Sequence, residues 1–100
     1  MAVAVQIDCP GVTTGQYDQA MEIAGFLPGG PLPAEGLFHW VMKTDDGIRV
    51  VNIWESRESF EQFAVEALAP LLEEIGVPMP VLEIQFFDVH NYLAGSRYRN

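Results

Sequence analysis

The chain opens on an alternation. Val3, Val5 and Ile7 are separated by small or polar side chains, which predicts a strand over residues 2–8 with one apolar face. The period then changes. Tyr17, Ala20, Met21 and Ala24 recur at helical spacing behind Thr13 and Gln16, a capping-box pair, and Gly25 can end the helix. A proline-rich loop from Phe26 to Glu35 follows. Residues 37–44 and 48–55 are dense in β-branched and aromatic side chains and read as two strands, with Asp45-Asp46-Gly47 as the hairpin turn between them. Ser56 caps a second helix. Its apolar positions, from Phe60, Phe63 and Ala64 to Leu72 and Ile75, stay on one stripe, the mark of a helix lying on a sheet. Pro70 falls inside that stripe and predicts a kink or restart; Gly76 and Pro78 stop the helix. Residues 81–90 form the last strand. Residues 91–100 are a tail carrying Arg97 and Arg99.

The order βαββαβ predicts an α+β, ferredoxin-like fold: a four-stranded antiparallel sheet with two helices on one face. The central hairpin adds a second constraint, because it is apolar on both parities. Phe38, Trp40, Met42, Val51 and Ile53 share one; Leu37, Val41, Ile48, Val50 and Trp54 share the other. Two helices cover only one side. The uncovered apolar face predicts a homodimer with sheets face to face, which would also protect the sheet edges.

Composition narrows the function classes. One hundred residues make one domain, 1–100, and 49% apolar content excludes disorder. Five Lys and Arg against 14 Asp and Glu give a net charge of −9, which argues against nucleic acid and anionic membranes as partners. No basic and apolar leader opens the sequence, and no run of roughly 18 apolar residues offers a membrane span. The expected home is therefore a reducing cytoplasm, and the single cysteine, Cys9, makes neither an internal disulfide nor a thiolate metal cage.

The informative residues are polar side chains inside apolar strands. Asn52 and Trp54 are two apart and share a strand face. A two-residue turn would pair Thr44 with Arg49, Val41 with Asn52 and His39 with Trp54, bringing His39 to the same surface. A three-residue loop with a bulge would turn His39 away. In the first register the trio suits a small-molecule pocket: Trp54 a flat wall with one donor, Asn52 a holder for a carbonyl or enolate oxygen, His39 a proton carrier near neutral pH. Core packing accounts for the same residues, since buried Asn and His are usually satisfied by backbone groups. Tyr17 can face such a pocket from the first helix. His90, at the end of the last strand, suits either a proton shuttle or a surface or interface position. Metal binding needs three or four converging ligands, and His39, His90 and Cys9 lie far apart in sequence. Cys9 has no nearby cation and reads as an ordinary thiol. Serine-elbow, P-loop and dinucleotide-loop motifs are absent from the sequence.

The segment Arg49-Val-Val-Asn-Ile-Trp-Glu-Ser-Arg-Glu-Ser-Phe-Glu-Gln-Phe63 resembles the strand-to-helix signature of antibiotic biosynthesis monooxygenase-like proteins, which are dimeric α+β barrels. Gly36-Leu-Phe-His39, the Asp46-Gly47 turn and Val89-His90-Asn91 are similar to a small bacterial subgroup of that superfamily, and the resemblance spans residues 2 to 93. It implies a homodimer. The chemistry it implies is cofactor-independent oxygenation of a phenolic or enolisable substrate. If the first register brings His39, Asn52 and Trp54 together, they would line a pocket for a small apolar or aromatic molecule under the second helix, roofed in part by Phe60, Phe63 and Ala64, with Tyr17 facing it from the first helix; His39 would be the base and Asn52 or Trp54 would hold the oxyanion. A ligand-binding or accessory dimer without chemistry is the alternative. Two departures are visible. The cofactor-free monooxygenases space their third-strand Asn and Trp more widely than Asn52 and Trp54. Haem-degrading relatives carry a helix histidine that residues 57–75 lack, so haem is not expected, and with nucleotide loops missing and soft ligands scarce neither is flavin or a transition metal.

Overall fold

The structure, a computed structural model, describes residues 2–30, 32 and 36–93. Strand β1 (Val3–Pro10) leads into helix α1 (Thr14–Ala24), the hairpin β2 (Gly36–Lys43) and β3 (Gly47–Trp54), helices α2 (Arg57–Phe63) and α3 (Ala69–Glu74), and strand β4 (Glu83–Asp88). The sheet is antiparallel with order β2-β3-β1-β4, the ferredoxin-like arrangement expected from the pattern. The last strand is shorter than expected, because Met79–Val81 form a 3₁₀ turn before it. The tail arginines, Arg97 and Arg99, lie outside the described residues.

Local chemistry sets the element ends. Thr13 and Gln16 close a full capping box on α1, and Gly25 ends the helix at φ 82°, a left-handed conformation that glycine adopts without strain. Ser56 and Ser59 do the same at the start of α2. Pro70 acts as the sequence predicts, with a specific outcome. It lacks an N–H and its ring crowds the carbonyl four residues back, so the chain widens into a π-helical turn over Ala64–Leu68. There the Ala69 N–H donates to Ala64 O, five residues away. The helix restarts as α3 with proline in its first turn.

The hairpin register differs from both alternatives read from the sequence. Thr44 N–H donates to Gly47 O at 2.9 Å, so Asp45 and Asp46 alone form the loop. His39 pairs with Asn52 and Val41 with Val50, and Trp54 lies opposite Gly36. From Phe38 to Lys43 this is a two-residue slip from the expected two-residue turn, and a bulge between Gly36 and Phe38 adds a third residue at Trp54. Because the strand period is two, the side chains from Phe38 to Lys43 keep the face that register assigned to them. Gly47 is glycine for another reason: a Cβ there would collide with the Cys9 carbonyl of the neighbouring strand.

The two sides of the sheet carry different residues. The helix side packs Val5, Ile7 and Cys9 of β1 and Ile48, Val50 and Trp54 of β3 against Phe60 and Leu72. The other side carries Trp40, Met42 and Phe87, all exposed. It also carries an ion pair, Arg49 Nε to Asp8 Oδ1 at 2.6 Å, which holds the Asp8 carboxyl below its usual pKa.

Candidate functional site

Cross-strand pairing builds the site. On the helix side, one row across the sheet reads His39, Asn52, Val5, Phe86. Trp54 stands two residues beyond Asn52 on the same face. Asn52 is one of two buried polar residues among those described; the other, Ser59, belongs to the α2 cap.

The polar groups of the row are hydrogen-bonded in a chain. Asn52 Oδ1 accepts from His39 Nδ1 at 2.5 Å, and His39 Nε2 lies 2.5 Å from Tyr17 Oη. The Tyr17 and His39 rings stack at 5.9 Å with 15° between their planes. Burial pushes the His39 pKa down, against a smaller upward pull from its bond to Asn52, so the imidazole is held neutral. Burial, with nearby Asp18, pushes the Tyr17 phenol up. A neutral imidazole beside a protonated phenol is a pair that can pass a proton without leaving a charge stranded at rest.

Trp54 completes the face. It is 4% exposed, with Phe60 edge-on at 6.0 Å and Phe63 tilted at 5.0 Å. Phe60 in turn meets Phe86 at 5.7 Å, and the Arg57 guanidinium caps the Phe86 ring at 4.0 Å. Within this aromatic wall, Trp54 Nε1 is a buried donor with no hydrogen-bond partner. Buried donors without partners are rare in folded proteins, and each asks for an explanation.

The sequence-derived residues thus lie as follows. His39, Asn52 and Trp54 share one face, with Tyr17 bonded to the first of them. Phe60 and Phe63 stand over Trp54 from α2, and Ala64 packs against the same core. Two open grooves, of about 480 Å³ and 290 Å³, lie on the helical layer rather than beside the trio. The smaller runs between Phe26 at the end of α1 and Phe63, Pro70 and Leu71, so Phe63 is the one ring shared by a groove and Trp54. His90 is exposed beyond β4 and takes no part. Cys9 is buried with its thiol pushed up to about 11, which keeps it unreactive. Among the described residues no three His, Cys, Asp or Glu side chains converge as a metal site, and no helix is long and apolar enough to cross a membrane.

Sequence reasoning missed the bond between Tyr17 and His39. The signal was present: a tyrosine on an apolar helical stripe buries its ring and must find a partner for its hydroxyl.

No protein-family model matches the chain, and comparison with curated proteins finds no match. Solved structures do. A mutant of SnoaB, a cofactor-independent oxygenase from Streptomyces nogalater, superimposes with TM-score 0.55 at 11% identity, over 94% of this chain and 97% of that one. A monooxygenase from the gene ActVA-Orf6 of Streptomyces coelicolor, solved with Nanaomycin D, gives TM-score 0.54 at 22% identity, over 95% and 92%. Both are antibiotic biosynthesis monooxygenase-type proteins, and at these identities the likeness is one of fold.

Proposed function

We propose that this chain is half of a homodimer joined through the outer sheet faces, and that its helix side takes a flat phenolic or enolisable molecule for reaction with oxygen without a cofactor. The observation that carries this reading is Trp54 Nε1, a donor left unpaired inside an aromatic wall beside a hydrogen-bonded His–Asn pair. An acceptor oxygen on a planar ligand would supply the missing partner, and the rings of Trp54, Phe60 and Phe63 would supply the stacking surface. Removing a proton from the ligand makes it electron-rich enough to reduce oxygen directly. Trp54 Nε1 and the Asn52 amide then hold the developing oxyanion in a site of low polarity, where a hydrogen bond counts for more than in water. Phe63 lines the smaller groove as well as touching Trp54, so turning that one ring opens a path from groove to donor. The exposed Trp40, Met42 and Phe87 are the surface the dimer would cover, and a reducing cytoplasm suits the one free thiol.

The test uses a Trp40→Phe protein, in which Trp54 is the remaining tryptophan. Titration with a hydroxylated anthrone should quench its fluorescence, and aerobic incubation should turn the anthrone CH2 into a carbonyl, a product richer by one oxygen and poorer by two hydrogens, with the second atom of O2 leaving as water. Binding without turnover would make the protein a ligand-binding dimer instead. No quenching would remove the pocket reading altogether.

A further inference from the structure

The hydrogen-bonded chain assigns roles that neither the trio nor its fold settles. Asn52 Oδ1 can only accept, so its bond at 2.5 Å requires the proton of neutral His39 to sit on Nδ1. His39 Nε2 then carries a lone pair. Its neighbour at 2.5 Å, Tyr17 Oη, must be the donor of that bond. Both ring nitrogens of His39 are therefore engaged, and it has no free lone pair to offer a ligand. Tyr17 is half-buried, and after donating its proton its oxygen still has lone pairs free to accept another.

We propose that Tyr17, not His39, exchanges the proton with the bound molecule, that His39 is its proton acceptor, and that Asn52, whose amide N–H₂ faces the oxyanion in the reading above, also fixes the histidine tautomer through Oδ1. The step balances. The ligand O–H or C–H gives its proton to Tyr17 Oη as Tyr17 passes its own to His39 Nε2. The result is a ligand anion, a neutral tyrosine and an imidazolium whose Nδ1–H stays bonded to Asn52 Oδ1. No electron moves in this step, and no co-reactant is needed. The logic is that of a nucleophile–histidine–orienter triad, with a phenol at the working end and an amide at the other. It rests on the reading above that a ligand binds on this side of the sheet.

Two measurements separate the relay from that reading. Nitrogen-15 NMR of the His39 ring in the neutral protein should show the proton on Nδ1, and Asn52→Leu should move it to Nε2. A wild-type proton on Nε2 would reverse every bond in the chain and overturn the proposal. The second measurement uses 4-nitrophenol, whose phenolate absorbs in the visible, at a pH below its own pKa. Wild-type protein should raise the ionised fraction of bound probe. Tyr17→Phe should keep binding while lowering that ionisation on the order of tenfold, the effect of losing one hydrogen bond to a charged group. Unchanged ionisation in Tyr17→Phe, with loss in His39→Gln, would make His39 the direct base and reject the relay. If the probe fails to bind wild-type protein, the ligand reading fails, and the tautomer alone decides the relay: Nδ1–H upholds it and Nε2–H overturns it.

Discussion

The hairpin carries both tryptophans of the chain, one on each side of the sheet, and they have opposite surroundings. Trp54 is 4% exposed, held between Phe60 and Phe63, with its N–H unpaired. Trp40 is 39% exposed, edge-on to Phe38 at 5.6 Å, with much of its ring bare. On the helix side the apolar surface is covered and a polar atom is left over. On the outer side the polar atoms of Asp8 and Arg49 are paired and apolar surface is left over. What is left over on each side indicates what that side would take: a hydrogen-bond acceptor on one, an apolar partner on the other.

Trp54 is where a single change should do the most damage. Trp54→Ala should cost about 3–5 kcal/mol of stability, because it empties a buried aromatic cluster; chemical denaturation with an unchanged m-value reads this directly. Trp40→Asp should leave the fold intact and act on assembly. A charge placed in an apolar interface should weaken a dimer by about a hundredfold or more, taking the species seen in sedimentation from twice to once 11.1 kDa. A wild-type protein that sediments as a monomer would remove the reason for the outer face's apolar surface.

A finer test uses pH. Burial lowers the His39 pKa in the folded state, so unfolding takes up a proton in mildly acidic solution. The stabilisation is complete above the ordinary histidine pKa of about 6.5 and declines as pH falls through it. Between about pH 7 and pH 5, where Asp8 stays ionised, His39→Gln should flatten this decline. An equal slope in both proteins would mean that His39 does not titrate as a buried group. The smallest effect belongs to the outer face. Asp8→Asn breaks an ion pair whose side chains are 27% and 40% exposed, so it should cost less than about 1 kcal/mol.

Much of this was legible in the residues. The alternation of Val3, Val5 and Ile7, the capping box at Thr13, the cap at Ser56 and the Pro70 break define the elements without reference to tertiary structure. The hairpin register was not legible. Asp46-Gly47 imitates a two-residue turn, yet the glycine answers to the Cys9 carbonyl on another strand, a long-range contact no local pattern contains. The same limit hid the Tyr17–His39 bond, which depends on how α1 lies across β2. The π-helical turn was half legible: proline forbids a regular helix at residue 70, but whether the chain kinks or widens depends on packing.

If the helix side of the sheet is a ligand site with Trp54 Nε1 as its unused donor, the two indole N–H resonances will report it while a hydroxylated naphthoquinone is added. The Trp54 resonance should move downfield and saturate as its N–H gains an acceptor, while that of Trp40 stays in place. A moving Trp40 resonance with a still Trp54, or two resonances that do not move, would contradict it.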